Sequence, residues 1–236
     1  APHAGDPVAL RYLGREELYR QADVPVKFVG HPLLDVVKTT LSKEEAKKTF
    51  GLRPDWTTIG LLPGSRKNEA DVLLPEMLKA AQILKERMKT VQFVLPLADT
   101  LPPSFVEQIL QQHALEVILI RNNVYDVIHV SDLAVVASGT ATLETALLET
   151  PMIIVYKVSR LSYYIGKTFI NISHIGLANI IAGKTIVPEL IQDEANGERI
   201  AAEAMDILTR KGRLGDIKAA LGKIRDKLGE PGASGR

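Results

Sequence analysis

Two short segments concentrate the residue types that hold anions and sugar hydroxyls. Leu62-Pro63-Gly64-Ser65-Arg66 stands where an apolar run gives way to a helical pattern. Gly64 permits close backbone approach, a helix start offers free N–H groups to an anion, and Arg66 adds a bidentate phosphate donor, so a diphosphate would be well held there. The second segment, ASGTATLE at 137–144, has the same character. Ser138, Gly139 and Thr140 are small residues that expose backbone N–H groups at a helix start, and Glu144, one turn in, can accept hydrogen bonds from two vicinal ribose hydroxyls.

Each segment also has a plain structural explanation. A βα turn with a solvated arginine is common, and a Ser or Thr cap followed by an acidic side chain is ordinary helix-start chemistry. That explanation accounts less well for two such turns on one sheet. Asn179, Glu189 and Gln192 form a third group, near the end of an otherwise apolar tract. They could read a base edge or sugar hydroxyls, or simply sit on loops and helix faces, and their types do not choose between these. His31 and His174 are isolated, with no partner at metal or triad spacing, and read as loop or core residues. The chain contains no HExxH, GxSxG, GxxxxGK[ST] or GxGxxG, which weakens the commonest hydrolase, NTPase and dinucleotide classes. No pair of ionisable residues is marked as general acid and base.

The elements that would position these groups alternate with regularity. TTIGLLPG (57–64) is a strand opening into the first turn, and residues 71–90 follow with Val72, Leu73, Met77, Ala80, Ala81 and Leu84 near helical period. VQFVLPLA (91–98), LEVILIR (115–121), DLAVVASG (132–139) and PMIIVYKV (151–158) read as further strands. Helices are expected over 104–114, 124–131, the TATLETALLET run, 198–210 and 214–229. Strands apolar on both faces and alternating with helices predict an α/β fold, a Rossmann-like parallel sheet with helices on both faces. In such folds ligands sit beyond the carboxyl ends of the strands, where both turns lie. VKFVG (26–30) predicts a short buried strand ahead of this unit, with a helical piece before it, and residues 1–15 read as an irregular arm.

A chain of 236 residues can bury one sizeable core, and 46% hydrophobic with 24% charged residues is a globular balance. The net charge of +1, with no clustered Lys and Arg, argues against a nucleic acid partner. The absence of cysteine excludes disulfides, thiolate metal sites and a Cys nucleophile. A cytoplasmic origin is the default, with no apolar run of bilayer-spanning length and no signal-like start. Between 156 and 175, Lys157, Arg160 and Lys167 interleave with Tyr163, Tyr164 and Phe169, a mixture that suits either an anionic lipid surface or packing on its own domain. Packing is favoured, because the apolar residues are not confined to one helical face.

Taken together, FVGHPLLD at 28–35, LLPGSRKNE at 61–69, ASGTATLE at 137–144 and LANIIAGKTIVPELIQ at 177–192 resemble the lipid-A-disaccharide synthase family in order and spacing, and LGEPGAS at 228–234 resembles the segment before that family's last helix. The resemblance implies the C-terminal, nucleotide-sugar-binding domain of an inverting, metal-independent GT-B glycosyltransferase with no cofactor. The implied reaction joins UDP-2,3-diacylglucosamine to 2,3-diacylglucosamine 1-phosphate (lipid X) and releases UDP, at the cytoplasmic face of the inner membrane of a Gram-negative-type bacterium. By similarity, Gly64, Ser65 and Arg66 would meet the diphosphate, Ser138, Gly139 and Thr140 would add backbone donors, and Glu144 would bind the ribose. Asn179, Glu189 and Gln192 are weaker carry-overs to substrate binding.

The resemblance divides the chain into an arm (1–15), a linker from the family's N-terminal domain (16–35), the UDP-sugar domain (36–210) and a C-terminal helix with a truncated tail (211–236). The family's acceptor site, catalytic base and main membrane surface belong to its N-terminal domain, which has no counterpart in this chain. The chain alone is therefore expected to bind UDP weakly without turnover. A homo-oligomer is compatible with the family. Ala178 replaces the family's Pro before Asn179. Other UDP-GlcNAc users of this fold, a peptidoglycan transferase or a UDP-GlcNAc 2-epimerase, and a non-catalytic nucleotide-binding fragment are the alternatives.

Overall fold

Six apolar runs become the strands of one sheet: β3 (Thr57–Leu62), β4 (Val91–Leu97), β5 (Ile118–Arg121), β6 (Leu133–Ala137), β7 (Met152–Tyr156) and β8 (Glu189–Ile191). A computed structural model describes residues 8–10, 21, 26–158 and 174–233. The strands lie in the order β5-β4-β3-β6-β7-β8 and every pairing is parallel. Counted from β3, this is the strand order 3-2-1-4-5-6 of doubly wound nucleotide-binding sheets. The α/β reading of the sequence holds.

Helices α3 (Lys67–Arg87) and α8 (Gly197–Thr209) pack together on one face. On the other, α5 (Val124–Val130) contacts β3 and β4 while α6 (Thr140–Leu147) contacts β6 and β7. Strand β4 shows why both faces must be covered. Phe93 and Leu95 belong to the main core, whereas the intervening Val94 packs with Ala46, Phe50, Val127 and Val130. Helix α3 buries Leu73, Leu74, Met77, Leu78, Ala81 and Leu84, but Val72, placed in this stripe by sequence, is 40% exposed. The stripe runs through Ala70 and Leu74, one turn apart, and Val72 falls between its rows.

Helix α1 (Leu33–Val36) and α2 (Lys43–Thr49) precede the sheet, and α2 starts with a capping box between Ser42 and Glu45. Asp126 of α5, almost fully buried, accepts from Thr40 N (2.8 Å), Thr40 Oγ1 (2.5 Å) and Leu41 N (3.0 Å), hooking the chain before α2 onto the sheet layer. Helix α4 (Pro103–Gln111) follows β4, and α7 (Leu177–Ala182) precedes β8. Helix α9 (Arg213–Lys227) packs on α6 and α7 and places Ile217, Leu221 and Ile224 in the main core, so no break in packing separates residues after 210 from those before.

Two segments of the resemblance meet in space. His31 N donates to Leu228 O at 3.0 Å and Gly232 N to Asp35 Oδ1 at 2.5 Å, and a Cβ on Gly30 would stand 2.3 Å from Glu230 O. Ahead of them, β1 (Val8–Leu10) pairs in parallel with β2 (Val26–Phe28). This corrects the reading of residues 1–15 as wholly irregular: three-residue strands are too short to show a period of two. The helical piece expected after Glu16 and the 159–173 stretch of the aromatic-cationic segment lie outside the described residues.

Candidate functional site

Strands β3 and β6 are neighbours, with Leu62 opposite Val136, and their continuations diverge to opposite faces of the sheet, into α3 and α6. A crevice opens at such a reversal, beyond the carboxyl ends of the strands. Here it is an open cleft of about 460 Å³, within the size range of small-molecule sites. Gly64, Ser65, Arg66, Ser138, Gly139, Thr140 and Glu144 all line it, together with Glu69, Val124 and Pro96 to Ala98.

The first turn is shaped by a left-handed glycine. Gly64 has φ +100°, and a Cβ there would meet Glu69 Oε2 at 2.8 Å and Ala137 Cβ at 3.5 Å. The backbone angle is what favours glycine, since the Glu69 carboxylate can swing aside and Ala137 stands at ordinary contact distance. Thr100 Oγ1 donates to Ser65 O at 2.5 Å and ties the turn to the chain after β4. Arg66 is the N-cap of α3 and makes no side-chain cap bond. Its guanidinium reaches into solvent, 79% exposed, and pairs with Glu69 Oε1 at 2.7 Å, a hydrogen bond that reinforces its protonated form.

The second turn does not use its hydroxyls as ordinary caps. Gly139 is the N-cap of α6 and no side chain caps the helix. Ser138 Oγ donates instead to Ile175 O at 3.0 Å, while Thr142 Oγ1 donates to Gly139 O at 2.7 Å and accepts from Leu177 N at 3.2 Å. Thr142 N is taken by Gly139 O at 3.2 Å, while the amides of Thr140 and Ala141 at the cleft are left without a side-chain cap. Glu144 is half-buried, and desolvation raises its carboxyl above the usual carboxylate range. Burial, and then the charge of Glu144, push the Tyr125 hydroxyl up as well. A basic, anion-ready turn therefore faces a carboxylate across one crevice, a pattern suited to a ligand with phosphates at one end and hydroxyls at the other. Among the described residues, no group of three or more His, Asp or Glu side chains is placed to hold a metal ion.

The sequence profile of the family described as "Lipid-A-disaccharide synthetase" matches residues 9–231. The chain belongs to the lipid-A-disaccharide synthase family. A lipid-A-disaccharide synthase from Syntrophus aciditrophicus is 58% identical over 222 residues, covering 94% of this chain and 58% of that protein. Another, from Geobacter metallireducens, is 45% identical over 231 residues, 98% of this chain and 60% of the relative. The chain thus spans about three fifths of the length of these lipid-A-disaccharide synthases. Among solved structures, a UDP-N-acetylglucosamine 2-epimerase from Listeria monocytogenes superposes with TM-score 0.63 at 19% identity, covering 94% of this chain and 54% of the other. The spinosyn rhamnosyltransferase SpnG gives 0.51 at 15% identity or below, over 76% of this chain and 43% of its own. At these identities they share the fold: the six-stranded parallel sheet of GT-B glycosyltransferase and epimerase domains.

The three weaker expectations from the lipid-A-disaccharide synthase resemblance stand apart from the cleft lining. Asn179 is fully buried. Its Nδ2 donates to Val187 O (2.9 Å) and Glu189 Oε1 (2.8 Å), and its Oδ1 accepts from Ile186 N (2.8 Å) and Val187 N (3.1 Å). All four hydrogen-bonding positions of the amide are used internally. The Glu189 carboxylate also accepts from Ile175 N (2.9 Å) and Gly176 N (3.1 Å). Gln192 pairs with both backbone groups of Val158, at 2.8 and 3.1 Å, as a further rung beyond the β7–β8 ladder. Side-chain type alone does not distinguish a ligand contact from such a bracket. Glu69 lies within the 61–69 motif, one helical turn from Arg66, whereas Val124 in the cleft lining and Thr100 behind Ser65 carried no local signal, because chain crossing and not spacing brings them there.

Proposed function

We propose that this chain supplies the donor-nucleotide site of an inverting GT-B glycosyltransferase that transfers 2,3-diacylglucosamine from its UDP derivative to 2,3-diacylglucosamine 1-phosphate and releases UDP. The observation that carries this reading is the convergence of Arg66 and Glu144 on one cleft between the diverging ends of β3 and β6. The diphosphate lies against Gly64, Ser65, Arg66 and the amides of Gly139 and Thr140, and Glu144 accepts from the ribose hydroxyls. Two structures of the same fold are described with such ligands, a Staphylococcus aureus MnaA–UDP complex (TM-score 0.60) and a Neisseria meningitidis UDP-GlcNAc 2-epimerase bound to UDP-GlcNAc (TM-score 0.58).

As the glycosidic bond breaks, negative charge grows on the departing UDP. Arg66 and the uncapped amides at the starts of α3 and α6 are donors already in place for that charge, so the barrier falls through preorganised electrostatics. The proton of the acceptor hydroxyl goes to a base outside this chain. The acceptor and the cytoplasmic membrane face are met mainly by residues in the part of the relatives' length beyond the match. No helix among the described residues is long and apolar enough to cross a membrane.

The test is UDP titration of the purified chain followed by thermal unfolding, because a ligand that binds only the folded state raises its stability by mass action. A rise in Tm at millimolar UDP, abolished in Arg66→Ala and Glu144→Ala, is expected. Disaccharide formation is not expected from this chain alone. An unchanged Tm at millimolar UDP overturns the donor-site reading, and turnover by the chain alone overturns the placement of the base.

A further inference from the structure

The short segment Ile175–Leu177 is fastened from two sides. From β8, the Glu189 carboxylate takes the amides of Ile175 and Gly176, and is itself oriented by Asn179 Nδ2 at 2.8 Å. From the cleft, Ser138 Oγ donates to Ile175 O at 3.0 Å and Leu177 N donates to Thr142 Oγ1 at 3.2 Å. The segment has no lateral room, since a Cβ on Gly176 would stand 2.2 Å from Ile154 Cδ1 and 3.2 Å from Glu189 Oε1. Asn179 is locked in turn by three bonds to Ile186 and Val187, so this end of the bracket is rigid.

A rigid bracket on one side of a confined segment sets where the other side's partners sit. We propose that Asn179 and Glu189 are positioning residues for the turn at 138–142, acting through Ile175–Leu177 and touching no ligand. Fully satisfied hydrogen bonding leaves Asn179 nothing to offer a nucleotide, while Ser138 and Thr142 hold the turn whose Gly139 and Thr140 line the cleft. The consequence for nucleotide affinity rests on the donor-site reading above; the positioning itself does not.

The experiment follows backbone amide resonances of the ligand-free chain by two-dimensional NMR. Glu189→Gln replaces one acceptor oxygen by an NH2 group and so breaks part of the bracket. It is expected to shift the Gly139 and Thr140 resonances while leaving Gly64 and Arg66, in the same cleft but on the unlinked turn, unmoved. In a Ser138→Ala/Thr142→Val background, where both fastenings to the turn are removed, adding Glu189→Gln is expected to leave Gly139 and Thr140 where they were. Coupling is reciprocal, so Ser138→Ala, which keeps the bracket intact, is expected to shift Gly176 and the Asn179 side-chain NH2. This second arm decides the matter if Glu189→Gln does not fold.

Unmoved Gly139 and Thr140 resonances in folded Glu189→Gln, equal shifts with the fastenings removed, or an unresponsive Gly176 in Ser138→Ala each overturn the proposal. UDP added to the same samples reads the other question. Glu189→Gln is expected to weaken UDP binding about two- to thirtyfold, only when Ser138 and Thr142 are present. Wild-type resonances that ignore millimolar UDP sink the donor-site reading, and the ligand-free spectra still judge the bracket.

Discussion

Arg66 and Glu69 form an ion pair at 2.7 Å at the start of α3, so the guanidinium offered to an anion is already held by a carboxylate of its own helix. A diphosphate must compete with Glu69 for Arg66, and Glu69 also adds negative charge to the cleft lining. Glu69→Gln is therefore expected to tighten UDP binding about two- to fivefold at low salt, since an exposed pair of this kind is weak. The gain is expected to shrink at high ionic strength, where exposed charges are screened. Calorimetric titration at two salt concentrations checks this, and weaker binding at low salt would show that Glu69 instead orients Arg66 productively.

On the proposed donor-site reading, Glu144 makes UDP binding depend on pH. Burial raises its folded-state pKa above the unfolded value, so between the two the folded chain holds more protons than the unfolded one. Its contribution to stability is present below the unfolded pKa and is lost as pH rises through the folded pKa. Glu144→Gln is therefore expected to stabilise the free chain more at about pH 8 than at about pH 5, measured by urea unfolding. Ribose hydroxyls favour the ionised form, so UDP affinity is expected to rise with pH through this titration in wild type. Glu144→Gln, which leaves the nucleotide's own titration in place, should lack that component.

Gly64→Ala tests the first turn. The positive φ and the 2.8 Å approach of Glu69 Oε2 to the added methyl predict a loss of about 1–3 kcal/mol in stability. Thermal unfolding checks it, and a double variant with Glu69→Ala separates the steric part from the backbone part: only the former is relieved.

Asp126→Ala removes the buried carboxylate that accepts from the amides of Thr40 and Leu41 and from the Thr40 hydroxyl. A loss of about 3 kcal/mol is expected by equilibrium unfolding, with a smaller loss for Asp126→Asn, which retains one acceptor oxygen. UDP affinity of the folded protein should be unaffected, because this anchor is not part of the cleft lining.

The strands and helices of the sheet were legible in the order of residues because each is a local pattern. Apolar runs such as 59–62 and 133–137 are buried on both faces and need no partner to be recognised, and the helix of 140–147 is announced by the turn before it. The two turns were legible for the same reason, since Gly64 with Arg66, and Ser138 with Glu144, each follow closely on a strand end. Their convergence was not local. It depends on β3 and β6 lying side by side, with Leu62 opposite Val136, although a helix-strand-helix-strand-helix stretch of chain separates the two.

The side-chain roles divide along the same line. Residue type and spacing were enough to nominate Gly64, Ser65, Arg66, Ser138, Gly139, Thr140 and Glu144, because a glycine turn or a helix start carries its chemistry within a few residues. Asn179, Glu189 and Gln192 could not be assigned that way. Whether an amide or a carboxylate meets a ligand or a backbone group depends on which segment folds against it, and here Ile175, Gly176, Val187 and Val158 take up their hydrogen bonds. Local order therefore determined the elements and the anion-ready turns. The pairing of distant strands and the burial of polar groups, both consequences of long-range packing, decided which of those turns share a cleft and which side chains stand behind it.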